Sequence, residues 1–500
     1  MATQVLYATT PPDYFKISSP TLRIPVDTSI SIPVGLLACQ RDPLLREIRT
    51  NVVNCTVSQP PPPPKKAKKG SVTVASVPVL EVILHDTVIF PEGGGQPSDI
   101  GHIIAANGEM YDVTQVNRVG GHAIHYVRAK DAEKDLLAFP VGAAVTVNLG
   151  QDGFDRRYDH MSMHTSQHLL SALLDRINVP TLSWSLTASP APCYVELPRS
   201  LSAEEIASVQ AEANQLVFEG RKIHVEVKEL DKAVIPDVPK LESGREVGRG
   251  LPSDYTGGVH RVIVIDGVDR NPCCGTHLPS LHNLQLFLLP HTETVSRSAT
   301  TSARLYFLAG PRLISHLTLS HTLLAGAAST LSCGAPQVPE RVNQVIDERK
   351  RAEKRNEDLE TELAPRIAGD ILGALEEDKS EGLFVSLKHR TDDAGNALAF
   401  LTAVSSSFIN LLSASPSKSR PYLIVLSSSP SSQNSTSTHV VLIFGSNETA
   451  VKAAGEEIKA KLGVKGGGKG SRWSGKLIGL WKEGKNEAIL QEVIEGLKKN

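Results

Sequence analysis

Met163-His164-Thr165-Ser166-Gln167-His168-Leu169-Leu170 is the stretch from which the rest of the chain can be read. Its two imidazoles stand four residues apart, which on a helix puts both on one face and within reach of one metal ion. The flanking residues support a helix over 159–177. Met161, Leu169, Leu170, Leu173, Leu174 and Ile177 recur at helical spacing, Asp159 can cap the start, and Pro180 follows the end. No Glu follows His164, so the general base of an HExxH metalloprotease is missing.

An isolated HxxxH is more often an ordinary surface or core pair than a metal site. A second pair changes the weighing. Cys273-Cys274-Gly275-Thr276-His277 sets a thiolate and an imidazole on a glycine-containing turn, shortly after a strand predicted over 262–266. Such groups are standard zinc ligands. Spacing alone leaves Cys273 and Cys274 as alternatives. A third unusual run is Phe90-Pro91-Glu92-Gly93-Gly94-Gly95-Gln96-Pro97-Ser98-Asp99. Its glycines let main chain approach a ligand closely, although a tight β-turn explains most runs of this kind. It is no P-loop, because no Gly-Lys-Ser/Thr follows.

Outward from these motifs, strands are expected over 50–57, 79–90 and 143–148, so that the segment from Ser71 to about Leu149 reads as all-β. A helix is expected over 203–220, with Ser202 as cap, then strands over 222–229, 262–266 and 284–289. Dense charge over 339–363 predicts an exposed spacer helix. Strands over 422–427 and 439–444 and a helix over 486–497 mark a C-terminal α/β domain. Five prolines and four lysines over 60–69 cannot join a sheet and read as an exposed loop. Residues 1–33, rich in Ser, Thr and Pro, read as a variable extension that could be disordered.

The chain has 500 residues, 40% hydrophobic, ample for several domains. A net charge of −2 gives no global field that would mark a nucleic-acid or membrane partner. No run of eighteen apolar residues exists, and the N-terminus lacks the pattern of a secretory signal. Six scattered cysteines make a poor disulfide framework and fit a cytoplasmic protein that uses some of them for chemistry.

The three motifs, in this order, resemble the editing domain of alanyl-tRNA synthetase and its free-standing AlaX relatives, the eukaryotic long form in particular. Gly250-Leu251-Pro252-Ser253-Asp254 and the run from Ile265 through His277 carry the eukaryotic likeness. The resemblance covers roughly residues 34–500. It implies an α+β protein: an N-terminal β-barrel module with the glycine-rich motif, a central α/β editing core with a zinc site, a helical spacer and a C-terminal α/β domain. The corresponding boundaries are 1–33, 34–150, 151–310, 311–380 and 381–500. It implies one Zn²⁺ on His164, His168, Cys273 and His277, and so favours Cys273 over Cys274. The implied activity is hydrolysis of the ester of tRNA(Ala) mischarged with serine or glycine, in trans, since no room for an aminoacylation domain precedes the editing motifs. Gly466-Gly467-Gly468-Lys469-Gly470 is similar to a glycine-rich motif of the DHH-associated type, in a basic C-terminal stretch suited to phosphate contacts.

Serine recognition calls for a polar group facing the extra hydroxyl. Thr165, Ser183, Ser185 and Gln96 are the candidates, Ser185 through its offset from His164 in the family; a surface serine is the plainer reading. Two rival readings remain. The editing domain of threonyl-tRNA synthetase shares the paired motifs, and a non-catalytic, zinc-stabilised tRNA- or protein-binding module would share the ligands without the activity.

Overall fold

The computed structural model describes residues 9–58, 78–230, 259–297, 300–393 and 395–498. The proline–lysine stretch over 60–69 and the run over 250–254 lie outside them. The chain divides into two compact units, Met1–Leu324 and Ala325–Asn500.

In the first unit, the segment expected to be a variable extension instead carries a strand, β1 (Phe15–Ile17), preceded by a fully buried Tyr14. Scarcity of apolar residues hid it, because a three-residue strand has no periodicity to detect. After a short helix, α1 (Ala38–Arg41), six strands close a barrel in the order β2-β3-β6-β5-β4-β7. They are β2 (Glu47–Val57), β3 (Val79–Leu84), β4 (Gly101–Ile104), β5 (Met110–Val119), β6 (His122–Arg128) and β7 (Ala144–Asn148), with a short helix α2 (Ala132–Leu136) before β7. Burial alternates along the strands: every second residue of β3 is buried, so one face lines the barrel.

α3 (Gly150–Arg176) begins at Gly150 rather than Asp159. The expected start was late because a charged side chain holds a core position: Arg157 is fully buried, its Nε donating to Asp99 Oδ2 at 2.7 Å. Asp159 is no cap; it accepts from Arg312 Nε at 2.9 Å. Then follow β8 (Ser183–Ser185), β9 (Cys193–Leu197), α4 (Ala203–Glu219), β10 (Ile223–Glu229), β11 (Val259–Ile265), β12 (Asp269–Pro272), β13 (Phe287–Leu288), β14 (Thr292–Arg297), β15 (Thr300–Ala309) and α5 (Gly310–Thr330). α4 starts at the expected capping box, Ser202 with Glu205. The strand expected over 284–289 is a 3₁₀ turn, Leu281–Leu284, followed by the two residues of β13. Two sheets result, β1-β10-β11-β12 and β13-β15-β9-β8, with β14 paired to β15. Barrel, α3 and sheets share one continuous hydrophobic core.

The second unit contains α6 (Val338–Glu377), β16 (Phe384–Thr391), α7 (Ala397–Ser413), β17 (Tyr422–Ser429), β18 (Thr438–Gly445), α8 (Glu448–Leu462), β19 (Lys465–Lys469), β20 (Arg472–Ile478) and α9 (Lys485–Lys498). Its sheet runs β16-β17-β18-β20-β19. α6 and α7 cover one face; α8 and α9 cover the other. Among the described residues no helix is long and apolar enough to cross a membrane. The whole is a mixed α+β protein with a closed six-stranded barrel.

Candidate metal centre

Four side chains converge where α3 passes the turn that follows β12. One ligand atom from each of His164, His168, Cys273 and His277 lies within 4.8 Å of the others. Cys273 Sγ is 3.3 Å from His164 Nε2 and 3.4 Å from His277 Nε2. With metal bonds of about 2.1 Å to nitrogen and 2.3 Å to sulfur, tetrahedral edges come to about 3.6 Å, so the spacing and donor chemistry both fit a metal ion. His164 and His277 are fully buried, while His168 and Cys273 keep 7% and 9% exposure. The cysteine in the group is Cys273; the main-chain carbonyl of Cys274 accepts from Gln40 Nε2 at 2.9 Å.

Each imidazole is gripped by its far nitrogen, which leaves Nε2 turned toward the shared point. His164 Nδ1 donates to Gln96 Oε1 at 2.9 Å. His168 Nδ1 lies 3.0 Å from Asp269 Oδ2. His277 Nδ1 lies 3.4 Å from Thr165 Oγ1, which also accepts from Leu278 N–H at 3.2 Å. Outer partners of this kind fix the tautomer and orientation of metal-binding histidines. Gln96 is doubly used: its Oε1 also accepts from Thr276 N–H at 3.0 Å, and its Nε2 donates to Thr276 Oγ1 at 2.8 Å.

The glycine-rich run places Gln96. Gly94 and Gly95 have φ of 61° and 77°, and Gly93 and Gln96 exchange main-chain hydrogen bonds of 3.1 and 3.0 Å. Positive φ at both central residues is the geometry of a type I′ hairpin turn. Its tip lies against the metal-bearing turn: a Cβ on Gly94 would stand 3.2 Å from Gly275 N and 3.4 Å from Cys273 Sγ. Gly275 is as tightly placed, since a Cβ there would meet His164 Cε1 at 2.3 Å. The glycines serve close approach of two turns.

Burial works to raise the Cys273 thiol, but the imidazoles around it, His164 and His277 first, hold it well below its ordinary value. Burial pushes His277 well down, so it stays neutral. Burial pulls His168 the same way, yet hydrogen bonding to Asp269 and Cys273 prevails and pushes it up to about 10. Without an ion, these shifts favour a thiolate at Cys273 and a protonated imidazole at His168.

Of the residues expected to meet substrate, Thr165 and Gln96 are buried with their polar atoms on the metal-binding group. Ser183 donates to Glu196 at 2.9 Å. Ser185 sits partly exposed on the edge strand β8, its hydroxyl without a hydrogen-bond partner among the described residues. Sequence reasoning missed Asp269, Tyr14, Gln40, Arg261 and Thr276. A carboxylate four residues before Cys273 was the one readable hint, for Asp269. A cavity of about 230 Å³ in the second unit, lined by Lys388, Arg390 and Phe400 among others, contains none of these residues.

A barrel turn clamped onto an α/β core, around a buried cluster of three histidines and one cysteine that could hold a metal ion, defines the class of protein. No family model matches the chain. The alanyl-tRNA editing protein Aarsd1 of Rattus norvegicus is 31% identical over 458 residues, covering 91% of this chain and 97% of the relative. The putative alanyl-tRNA editing protein alaX of Saccharomyces cerevisiae is 29% identical over 479 residues, covering 90% and 94%. The alanine–tRNA ligase of Thermococcus kodakarensis is 30% identical over 298 residues, 58% of this chain but 30% of that enzyme. The chain belongs to the alanyl-tRNA editing protein family.

Proposed function

We propose that this protein is a trans-acting, cytoplasmic aminoacyl-tRNA deacylase that hydrolyses the ester of mischarged tRNA(Ala), chiefly Ser-tRNA(Ala) and secondarily Gly-tRNA(Ala). We assign one Zn²⁺ to His164, His168, Cys273 and His277. The observation that carries the reading is the convergence of these four side chains in a chain whose relatives are named for alanyl-tRNA editing. Three imidazole nitrogens and a thiolate suit zinc better than harder cations. When bound, zinc supplies Lewis-acid polarisation at neutral pH.

The chain's own residues do the rest. Gln96, Thr165 and Asp269 orient the ligands. Approach is assigned to the Cys273–His168 edge, the less buried side. This makes His168, rather than the deeply buried His277, the ligand that substrate would crowd. Ser185 is assigned to the serine hydroxyl, a hydrogen bond that an alanine ester cannot make.

Four buried protein ligands also suit a closed structural zinc site, which favours, as second reading, a zinc-stabilised tRNA- or protein-binding module. One experiment separates them. Ser-, Gly- and Ala-charged tRNA(Ala) are incubated with wild-type and Cys273→Ala protein, with zinc measured alongside. The deacylase reading expects serine release by wild type only, with Ala-tRNA(Ala) spared. Zinc-loaded wild type that binds tRNA but releases nothing would leave the binding module. Ser185→Ala is expected to retain zinc and lose serine preference.

A further inference from the structure

The turn Cys273–Leu278 belongs to no sheet, and its main chain is held by side chains from distant parts of the chain. Arg261 Nη1, from β11, donates to the carbonyls of Cys273, at 3.0 Å, and Gly275. Gln40 Nε2, from α1, donates to the carbonyl of Cys274 at 2.9 Å. Tyr14 Oη donates to the carbonyl of His277 at 2.9 Å. Arg261 Nη2 closes the arrangement onto the carbonyl of Gln40 at 3.4 Å. Tyr14, Gln40 and Arg261 are 1%, 0% and 3% exposed. Among the described residues Arg261 has no carboxylate partner; the Nη1 and Nη2 groups of this buried cation reach main-chain carbonyls, while its Nε is buried without a hydrogen-bond partner. β1 carries Tyr14 into place by pairing in parallel with β10, and Tyr14 O accepts from Val225 N at 2.6 Å.

A turn that must be ordered by the ion itself binds that ion less tightly than one already in shape, because ordering draws on the binding free energy. Here the two ligating residues of the turn, Cys273 and His277, both have their carbonyls fixed from outside. We infer that Tyr14, Gln40 and Arg261 are positioning residues of the metal centre. They hold the Cys273–His277 main chain in its metal-binding shape before the ion arrives. The segment before the barrel is thereby a working part of a site whose first ligand, His164, lies 124 residues beyond Gln40 and 150 beyond Tyr14. The inference rests on the reading that the four-residue group holds a metal ion.

The test uses full-length protein and Zn²⁺ alone. Tyr14→Phe keeps the buried ring and removes only the hydroxyl; Arg261→Lys keeps the charge and removes the planar fork. Dissociation constants come from competition with a chromophoric chelator, and melting temperatures are taken with and without zinc. Weakening of about 10-fold for Tyr14→Phe, and up to about 100-fold for Arg261→Lys, is expected, in the range seen for outer partners of metal ligands. Both melting temperatures of Tyr14→Phe should fall, because the lost hydrogen bond is already made without the ion, and the zinc-loaded one should fall further by the lost binding energy. An equal fall in both forms would mean a merely structural role and overturn the inference, as would an unchanged dissociation constant. Should Arg261→Lys fail to fold, Tyr14→Phe decides alone. Wild type that binds no zinc would overturn the metal reading itself; wild type that binds zinc while Tyr14→Phe binds it equally would overturn only this inference.

Discussion

Substituting Gly275 by alanine tests the metal centre with a single carbon. The added methyl would stand 2.3 Å from Cε1 and 2.4 Å from Nδ1 of His164, and 2.9 Å from Gln96 Oε1. Carbon atoms are at ease from about 3.5 Å apart, so the imidazole must retreat by about 1.2 Å or the turn must. Metal–ligand bonds tolerate about 0.2 Å. His164 then leaves the shared point, and the Gln96 hydrogen bond that orients it breaks. Losing such an orienting bond weakens metal by about 10–100-fold, and displacing the ligand adds to it, so a loss of at least about 100-fold in zinc affinity is expected. Gly275 lies outside the left-handed region, so the effect is steric. Gly93→Ala is the control, since a methyl there meets nothing nearer than 3.8 Å. Chelator competition on both variants reads the result, with Ser-tRNA(Ala) hydrolysis alongside. Zinc affinity within twofold of wild type for Gly275→Ala would refute the placement of His164 against this turn.

Three further outcomes are expected. Zinc binding at pH 7 should release about one proton, because Cys273 is already a thiolate and His168, pushed up to about 10, holds the proton that the ion displaces. Affinity then rises about tenfold per pH unit from 7 toward 10; calorimetry in buffers of different ionisation heat counts the protons, and two released would contradict the assignment. His125 is buried in the barrel and pushed down to about 4 by burial, so the unfolded chain takes up a proton at higher pH than the folded one. Its contribution is whole above pH 6.5 and fades as pH falls to 4, by about 3 kcal/mol in all; urea titrations of wild type and His125→Asn should converge by that amount. Arg157→Leu strands the Asp99 carboxylate, itself fully buried, and should cost about 3–5 kcal/mol; a loss below 1 kcal/mol in urea unfolding would count against the pairing.

What the sequence made legible were features with a period or a signature. α4 announces itself by Ser202 and Glu205, β3 by its β-branched run, and the metal-binding group by two spaced pairs. Buried polar groups were not legible. Arg157 hid the first turns of α3 because a charge in a core position reads as a surface. Tyr14 and Arg261 reach the Cys273–His277 turn from 263 and between 12 and 14 residues away, and no local pattern encodes a partner chosen by tertiary approach. Gln96 was read as facing the site, but its attachment to His164 depends on how the barrel turn meets α3, which spacing cannot give.

Hydrophobic residues from Tyr14 through Leu149 to Ala309 interlock without a break. Heat therefore finds no seam along which to part the barrel from what lies behind it, and the two should melt together in one step. The barrel could not be transplanted alone, because its apolar core runs on into the helix and sheets behind it.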